Sequence, residues 1–326
     1  MRTMISALRS RVLSLGTTHG KNIVAFSGGV DSSLVAALVH QAFPDNSLAC
    51  VGVSSALPAN QLDLARRVAS HVGIPLTEVS TTEGSDPDYI ANEGQSCFHC
   101  KTHLYSALEA VAAQAGIESR LGEQASATAA AAAAASFSGG RGEARVVLFN
   151  GTNKDDKRDT TRVGLKAAAD FQVASPIDAL TKAEVRAVSL ELGLPNWNHA
   201  ASPCLRSRLA FGVQATPERL VLVEKAEDAA RRLLGLGVSQ NLRVRAMHGN
   251  KALLEVDAGE VLDEALRGLA DIRSLILPLG FDEVDVRAFR SGAVSGGVTS
   301  TGVTESVEGV LEAGGNGVDV FRVRGQ

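Results

Sequence analysis

The chain has 326 residues, of which 45% are hydrophobic and 21% charged, as is typical of soluble globular proteins. A formal net charge of −4 at pH 7 argues against a protein that wraps nucleic acid over a broad basic face. No apolar run approaches the roughly 20 residues of a membrane-spanning helix, and four cysteines do not make a disulfide scaffold at this length. These properties predict a reduced, cytoplasmic protein that binds neither membranes nor nucleic acid and is long enough for two domains.

The first half of the chain alternates helical and strand patterns, beginning with an amphipathic helix over residues 5–15. Short buried strands are predicted at 23–26, 47–55, 75–81 and 145–153. Helices are predicted after residue 30 and at 60–73, 101–115 and 181–195. This alternation predicts an α/β fold, a doubly wound parallel sheet whose ligands bind at the carboxyl ends of the strands.

From residue 209 the pattern changes to that of a smaller α+β unit. A helix is predicted at 217–234, two strands within 241–256, one helix over 259–280 and a last strand at 281–289. We therefore predict two domains, 1–208 and 209–290, the second for substrate binding or oligomerisation. Two segments lack core residues: an Ala/Ser/Gly tract at 126–144, predicted to be a flexible insertion, and a Gly/Val/Ser-rich tail at 291–326.

The sequence Ser-Gly-Gly-Val-Asp-Ser-Ser at 27–33 stands where the first strand should end and a helix should begin. Adjacent glycines let the backbone turn tightly, and a helix N-terminus adds partial positive charge, so such a turn binds anions, phosphates above all. The loop matches neither G-x-x-x-x-G-K-[ST] nor G-x-G-x-x-G. It predicts a phosphate site of another type.

This S-G-G-x-D-S loop after a first strand resembles that of the PP-loop ATP pyrophosphatases, which cleave ATP between its α- and β-phosphates. The resemblance implies ATP and Mg²⁺ as cofactors, with Asp31 helping to bind Mg²⁺. The residues that it assigns to the pyrophosphate are Ser27, Gly28, Gly29, Ser32 and Ser33. In-line attack on the α-phosphate needs positioning and charge stabilisation more than covalent help, which suits such a loop.

Two further segments, N-G-T-N-K-D-D-K-R-D-T-T-R-V-G-L-K-A-A at 150–168 and A-S-P-C-L-R-S-R at 201–208, resemble the LarE-type sulfur transferases. The likeness covers roughly residues 5–290 without the alanine tract. Those enzymes adenylate a carboxylate of a pyridinium mononucleotide and convert it to a thiocarboxylate for the nickel-pincer cofactor of lactate racemase. The resemblance implies this substrate and a ring-like homo-oligomer. One departure is Val163, where the family pattern has proline.

The resemblance and the position of residues in the predicted elements together suggest roles for single residues. Gly151 and Arg162 are expected near the nucleotide, and the expected catalytic residues are Cys204, Asp31, Arg208 and Glu224. Ser207 is expected to bind the substrate phosphate with Arg243 and Arg245, which alternate along a strand and so share one face. The alternatives are an exposed charge for Glu224 and a solvated strand face for the arginine pair.

Cys97 and Cys100 have C-x-x-C spacing, which by itself is ambiguous among a redox motif, half a zinc site and iron–sulfur ligation. His99 or His103 could complete a zinc site. Three thiolates instead suit a 4Fe–4S cluster with one iron left without a protein ligand. We favour such a cluster on Cys97, Cys100 and Cys204, which would relay sulfur from an external sulfide source.

A second route remains open. In LarE enzymes that sacrifice a cysteine, the residue matching Cys204 attacks the substrate adenylate, and β-elimination then leaves dehydroalanine. Arg206 and Arg208 lie close in sequence and would favour the thiolate of Cys204. An enzyme of this kind turns over once, and the C-x-x-C pair would then be structural.

Three other functions compete with sulfur transfer to a mononucleotide. A PP-loop tRNA thiolase would need a broad basic face, which the composition does not supply. An amide-forming synthetase of the NAD or GMP type would need ammonia and typically a glutaminase unit, for which this length leaves no room. A non-catalytic ATP-binding module would not make AMP and pyrophosphate, and the full loop with three cysteines argues against it.

Overall fold

The computed structural model describes residues 1–114, 145–159 and 162–290. The predicted insertion at 126–144 and the predicted tail at 291–326 lie outside the described residues. Within the described ranges, no helix has both the length and the apolar character that crossing a membrane requires.

Four parallel strands form the sheet of the first half, in the order β3-β2-β1-β4. The strands are β1 (Gly20–Ala25), β2 (Ser47–Val53), β3 (Leu76–Ser80) and β4 (Arg145–Phe149). The helices around them are α1 (Arg2–Leu15), α2 (Val30–Ala42), α3 (Ala59–Val72), α4 (Pro87–Ala91), α5 (Ser96–Gln114), α6 (Lys154–Arg158), α7 (Gly164–Asp170) and α8 (Lys182–Glu191). The predicted α/β fold with a parallel sheet is confirmed.

Helices cover both faces of this sheet, which is why strands β1 and β4 end in runs of buried, apolar residues, at 23–25 and 146–149. Successive β1 residues alternate between two cores. Val24 packs in the core that α2 and α8 share, whereas Ile23 and Ala25 pack in the core that α5 and α7 share. Since β1 and β4 are parallel neighbours, the turn after β1 and the segment after β4 emerge side by side at the carboxyl edge of the sheet.

A second sheet has the strand order β5-β6-β7, with β5 antiparallel and β7 parallel to β6. Its elements are α9 (Pro217–Leu233), β5 (Leu242–Met247), β6 (Lys251–Val256), α10 (Glu260–Arg267), α11 (Leu269–Ile276) and β7 (Glu283–Ala288). The single helix predicted over 259–280 is wrong, because Gly268 separates α10 from α11. Glycine is a weak helix former, and the N–H of Gly268 closes the last turn of α10 onto the carbonyl of Glu264 at 2.9 Å.

A strip of chain at 204–210 runs between the two sheets. The N–H of Leu205 donates to the carbonyl of Ala56, which follows β2, at 2.8 Å. At the other end of the strip, the N–H of Ala210 donates to the carbonyl of Ala246 in β5 at 2.9 Å. Ala56 also lies in the hydrophobic core that is built around β5 and β6. The division into domains at residue 208 stays a prediction.

Candidate active site

Two glycines shape the turn between β1 and α2. Gly28 has a φ of +69°, and a Cβ atom there would lie 2.8 Å from the backbone of Ala65 in α3. Gly29 stands directly before α2, whose N-terminus no side chain caps. The first N–H groups of a helix have no preceding carbonyl to bond, so those of α2 are donors available to an anion in this turn.

Serine hydroxyls hold the turn in shape. Ser32 Oγ accepts a hydrogen bond from the N–H of Ser27 at 3.2 Å, donates to the carbonyl of Gly29 at 3.1 Å and lies 3.1 Å from Ser27 Oγ. Ser33 is fully buried, and its Oγ accepts from Asn196 Nδ2 at 2.9 Å. The structure thus places Ser27 and Ser32 on the turn and Ser33 among buried groups. The phosphate-binding role of all three stays a prediction.

Asp31 carries the negative charge of the turn. Its Oδ1 accepts from Asn153 Nδ2 at 3.1 Å, and its Oδ2 pairs with the ammonium group of Lys182. Gly151, just after β4, approaches so closely that a Cβ atom there would lie 2.7 Å from the backbone nitrogen of Ser32. A carboxylate and a lysine at this N-terminus fit Mg²⁺ and phosphates, because proteins hold Mg²⁺ through one or two carboxylates together with phosphate oxygens.

The close approach of Gly151 gives a first prediction. Gly151→Ala is expected to weaken ATP binding about tenfold, because overpacking against the first turn of α2 costs about 1–3 kcal/mol. Isothermal titration calorimetry at fixed Mg²⁺ measures the affinity. Gly237→Ala is the matched control, since an added Cβ there has only Gln240 Oε1 nearby, at 3.7 Å. An unchanged affinity in Gly151→Ala would argue against ATP binding in this turn.

A run of polar contacts leads from the turn towards the second half of the motif at 150–168. Asn153 Oδ1 accepts from the N–H groups of Asp155 at 2.9 Å and Asp156 at 3.0 Å, which caps α6. The carboxylate of Asp156 lies 2.9 Å from Arg162 Nη2. Asn153 also donates to Asp31, so the predicted nucleotide residue Arg162 is connected to the turn through two side chains.

Val163, where the family pattern has proline, lies just before α7. Its φ is −56°, close to the value near −65° that a proline ring fixes, so valine keeps the backbone course that proline would impose. Gly164 comes next, and a Cβ atom there would lie 3.3 Å from the carbonyl oxygen of Cys97 and 3.3 Å from Cγ of Lys101. This close approach ties the start of α7 to α5.

Helix α5 carries two of the predicted cysteine ligands. It begins at Ser96, earlier than the predicted start at Lys101, so Cys97 and Cys100 lie in its first turns. The predicted boundary is wrong because cysteine, phenylalanine and histidine are weak helix formers and hide the start of the helix. Cys204 comes from the strip between the two sheets and, like Cys100, is half-buried against the core around β5 and β6.

The three thiols share one environment. Arg206 Nη2 donates to Cys97 Sγ at 2.5 Å, and its charge also interacts with Cys204. Burial first, and then the neighbouring Cys204, raises the pKa of Cys100 to about 12, so this group is a thiol at neutral pH. The structure therefore brings Cys97, Cys100 and Cys204 together. Their role as ligands stays a prediction.

Two buried polar atoms beside the thiols have no partner. The hydroxyl of Tyr89 and Oε2 of Glu83 are buried and form no hydrogen bond within the described residues. Burial first, and then the charges of Cys204 and Cys100, raises the pKa of Tyr89, and Glu83 in turn acts on Cys100. Since buried polar groups are nearly always paired, these two orphans fit a place that receives a bound group.

The spacing of the thiols distinguishes between kinds of metal site. Tetrahedral zinc, with bonds of about 2.3 Å to sulfur, brings its sulfur ligands to about 3.8 Å from one another. Among the described residues, the three thiol sulfurs do not all lie within 4.8 Å of one another. His99 and His103, which could have completed a zinc site, contact Asp86 instead. The thiols as placed here are thus not spaced for a single tetrahedral zinc ion, and the 4Fe–4S cluster stays a prediction.

Arg208 holds the backbone of Cys204. Its buried guanidinium donates to Glu227 at 2.9 and 3.2 Å, to the carbonyl of Pro203, and to the carbonyl of Cys204 at 3.1 Å. Ser207 Oγ donates to the same carbonyl of Cys204 at 2.8 Å. Both predicted residues are therefore in contact with the Cys204 backbone, and their catalytic and phosphate-binding roles stay predictions.

The other predicted residues lie in different settings. Glu224 Oε1 accepts from the N–H of Ala59 at the start of α3, at 2.6 Å. Arg245 is fully buried, donates through Nε to Glu255 at 2.7 Å and through Nη1 to the carbonyl of Ser207 at 2.7 Å. Its guanidinium is thus committed to protein groups. The roles predicted for Glu224 and Arg245 are untested by this placement.

Arg243, two residues before Arg245, has fewer polar partners. It donates to the carbonyl of Ala201 at 3.0 Å, and its guanidinium carbon lies 4.6 Å from the ring centre of Phe289. Burial, followed by the charges of Arg208 and Arg245, lowers the pKa of Arg243 to about 10, so it stays charged at neutral pH. Of the β5 pair, Arg243 is the better placed to meet an anionic group.

Two residues that contact the site were not predicted from the sequence, although a sequence signal marks each of them. Lys182 is a cation in the first turn of α8, where the helix dipole favours acids, and it pairs with Asp31. Glu227 follows Leu220 and Val223 at helical spacing on the buried face of α9, and it pairs with Arg208. In both cases the signal is a charged residue where a helix does not favour it, a cation at the N-terminus or an acid on the buried face.

Comparisons with known proteins bear on this site. Residues 20–92 match the family model described as asparagine synthase. The protein slr1717 of Synechocystis sp., described as uncharacterized, is 34% identical over 241 residues, which cover 73% of this chain and 77% of that one. The pyridinium-3,5-bisthiocarboxylic acid mononucleotide synthase of Lactiplantibacillus plantarum, a LarE protein, is 29% identical over 281 residues, covering 85% of this chain and 89% of the synthase. The chain belongs to the LarE-type family.

As a LarE-type protein of the PP-loop superfamily, the chain is an ATP-dependent sulfur-transferring enzyme. The resemblance inferred from the motifs is thereby confirmed. A glutamine-hydrolyzing GMP synthase of Leifsonia xyli is 30% identical over 242 residues, which cover 70% of this chain but only 44% of that enzyme. The likeness to the amide-forming class therefore concerns only part of such an enzyme.

Proposed function

We propose that this LarE-type enzyme adenylates a carboxylate of a pyridinium-3,5-biscarboxylate mononucleotide and converts it to a thiocarboxylate, in the biosynthesis of the nickel-pincer cofactor. The observation that carries the proposal is the likeness to the pyridinium mononucleotide synthase along 89% of that protein. The geometry supports it. At one end of the motif at 150–168, Asn153 contacts Asp31 in the turn at 27–33, which we call the phosphate turn. At the other end, Gly164 packs against Cys97, one of the three cysteines.

The first half of the reaction is assigned to the turn between β1 and α2. An oxygen of the substrate carboxylate attacks the α-phosphorus of ATP, the bond from the α-phosphorus to the bridging oxygen breaks, and pyrophosphate leaves. The N–H groups at the start of α2 and the ammonium of Lys182 stabilise the leaving pyrophosphate. Asp31 is the carboxylate that would hold Mg²⁺, which neutralises phosphate charge when bound.

The second half of the reaction is assigned to the three cysteines. A sulfur nucleophile attacks the acyl carbon of the adenylate, and AMP leaves with the electron pair of the broken bond. A 4Fe–4S cluster on Cys97, Cys100 and Cys204 would supply an iron that can bind sulfide. The residues themselves shape this pocket: Arg206 donates to Cys97, and Arg208 fixes the carbonyl of Cys204.

The alternative route uses the same pocket without a cluster. Cys204 Sγ attacks the acyl carbon and AMP leaves. A base then removes the Cα proton of Cys204, the Cβ–S bond breaks, and sulfur remains on the substrate as a thiocarboxylate while residue 204 becomes dehydroalanine. The buried ion pair between Arg208 and Glu227 would then serve to hold the Cys204 backbone during elimination.

The test uses full-length protein purified without oxygen and supplied with ATP, Mg²⁺, sulfide and the biscarboxylate mononucleotide. We expect AMP, pyrophosphate and a thiocarboxylate product in equal amounts, iron and sulfide bound to the protein, and an unchanged mass for the Cys204 peptide. Loss of the elements of hydrogen sulfide from that peptide, without iron, would establish the sacrificial route. AMP formation that requires tRNA instead of the mononucleotide would overturn the proposal in favour of a thiolase. We expect the enzyme to act in the cytoplasm as a homo-oligomer.

A further inference from the structure

A second cluster of metal-ligating side chains lies next to the cysteines, where the chain passes from β3 into α5. Asp86 caps the short helix α4, with Oδ1 accepting from the N–H groups of Asp88 at 2.9 Å and Tyr89 at 3.4 Å. This arrangement fixes the carboxylate and leaves its other oxygen, Oδ2, directed at α5. The cluster takes no part in the reaction described above.

Two histidines of α5 approach that oxygen. Nδ1 of His99 lies 3.0 Å from Oδ2 of Asp86, and Nε2 of His103 lies 3.1 Å from the same atom. The other ring nitrogen of His103, Nδ1, lies 3.0 Å from the hydroxyl of Thr82. His99 and His103 are four residues apart and therefore share one face of the helix. One carboxylate oxygen is thus contacted by two imidazoles.

Three ligand atoms gather at this point. One from each of Asp86, Asp88 and His99 lie within 4.8 Å of one another. Tetrahedral zinc, with bonds of about 2.0–2.2 Å to nitrogen and oxygen, separates its ligand atoms by about 3.3 Å, close to the spacing of His99 and Asp86. Two carboxylates also balance the charge of a divalent cation, and a mixed imidazole and carboxylate set suits such metals.

We propose that Asp86, Asp88 and His99 form a binding site for a divalent transition-metal ion such as Zn²⁺. His103, held by Thr82, orients the Asp86 carboxylate, as hydrogen-bonding partners of metal ligands commonly do. The side chain of Asp88 is exposed, so the remaining coordination positions are open to water. Metal binding here ties the β3–α4 connection to α5, the helix that presents Cys97 and Cys100.

This site is separate from the cysteine pocket. At 3.6 residues per turn, the face of α5 with His99 and His103 is rotated by roughly a third of a turn from the face with Cys97 and Cys100. The alternative explanation is a hydrogen-bonded brace that holds α4 against α5 without a metal. Such a brace uses Asp86 but not the side chain of Asp88, and this difference decides the choice of variants.

The test measures Zn²⁺ binding by calorimetry in the full-length triple variant Cys97→Ser/Cys100→Ser/Cys204→Ser, in which the thiols cannot compete. We expect one Zn²⁺ per chain, with affinity reduced at least about tenfold by Asp88→Asn or His99→Gln and about 10–100-fold by His103→Gln. His71→Gln, an exposed histidine on α3, is the control and should leave binding unchanged. Absence of stoichiometric Zn²⁺ binding, or an unchanged Zn²⁺ affinity in Asp88→Asn, would overturn the proposal. The cluster would then be explained as a metal-free, hydrogen-bonded brace between α4 and α5.

A second measurement covers the case in which the triple variant does not fold. Protein with all its cysteines is titrated with Co²⁺, and visible d–d bands are recorded for the unmodified chain and for Asp88→Asn. A band that Asp88→Asn removes, without change in the thiolate-to-cobalt charge-transfer absorption, supports the site. Identical spectra contradict it. Neither measurement depends on sulfur transfer, so failure of the metal site and failure of the proposed function can be told apart.

Discussion

Replacing Cys97 by serine is expected to lower thiocarboxylate formation by about a thousandfold or more, while ATP is still converted to AMP and pyrophosphate with the substrate present. Cys97 accepts a hydrogen bond from Arg206 and shares its pocket with Cys100 and Cys204, whereas the phosphate turn lies at the other end of the motif at 150–168. Serine offers no thiolate to iron. Mass spectrometry of the product, a pyrophosphate assay and iron content measure the three effects separately.

Cys50→Ala is the control for this experiment. Cys50 is fully buried in the core on the α5 side of the sheet, where burial raises its pKa to about 12, and it is not part of the thiol pocket. Iron content and product formation should be retained. A Cys97→Ser enzyme that still forms product, alongside an inactive Cys204→Ser enzyme, would show that Cys204 acts alone and would exclude the cluster route.

Asp31→Asn is expected to slow pyrophosphate release about 100–1000-fold, since it removes the one carboxylate of the phosphate turn and leaves the ammonium of Lys182 without its partner. The amide keeps the size of the side chain, so the loss reports on charge. The measurement is substrate-dependent exchange of labelled pyrophosphate into ATP at several Mg²⁺ concentrations.

The control for the charge change is Asp45→Asn, an exposed position in the connection between α2 and β2. It should leave the exchange rate unchanged. If Asp31→Asn exchanges pyrophosphate as fast as the unmodified enzyme, the metal and the phosphates must be held elsewhere. A rate rescued by high Mg²⁺ would instead support weakened metal binding at Asp31.

The turn between β1 and α2 could be predicted from sequence because its signal is local. Gly28, Gly29 and Asp31 are neighbours in the chain, and the apolar strand before them and the helix pattern after them fix the setting. The parallel sheet could be predicted for the same reason, because the alternation of strand and helix patterns can be recognised from neighbouring residues alone.

The partners of these residues could not be predicted, because they come from distant parts of the chain. Lys182 reaches Asp31 across 151 positions, and Arg206 reaches Cys97 across 109. Proximity in sequence suggested that Arg206 would act on Cys204, and its charge does interact with that thiol, but the hydrogen bond of its guanidinium to Cys97 could not be predicted. Helix boundaries failed where intrinsic propensity was weak, as at the start of α5, since packing rather than propensity decides them.

The strip at 204–210 limits where the chain can be divided into stable fragments. Its backbone is bonded on one side to Ala56 and on the other to Ala246, and Tyr89 from the first half completes the core around β5 and β6. Cutting the chain after residue 208 would therefore strip apolar cover from Tyr89 and separate Arg208, which holds the Cys204 backbone, from Glu227. We therefore expect the first half, isolated at this point, to lose the packing that holds Cys204 in place beside α5.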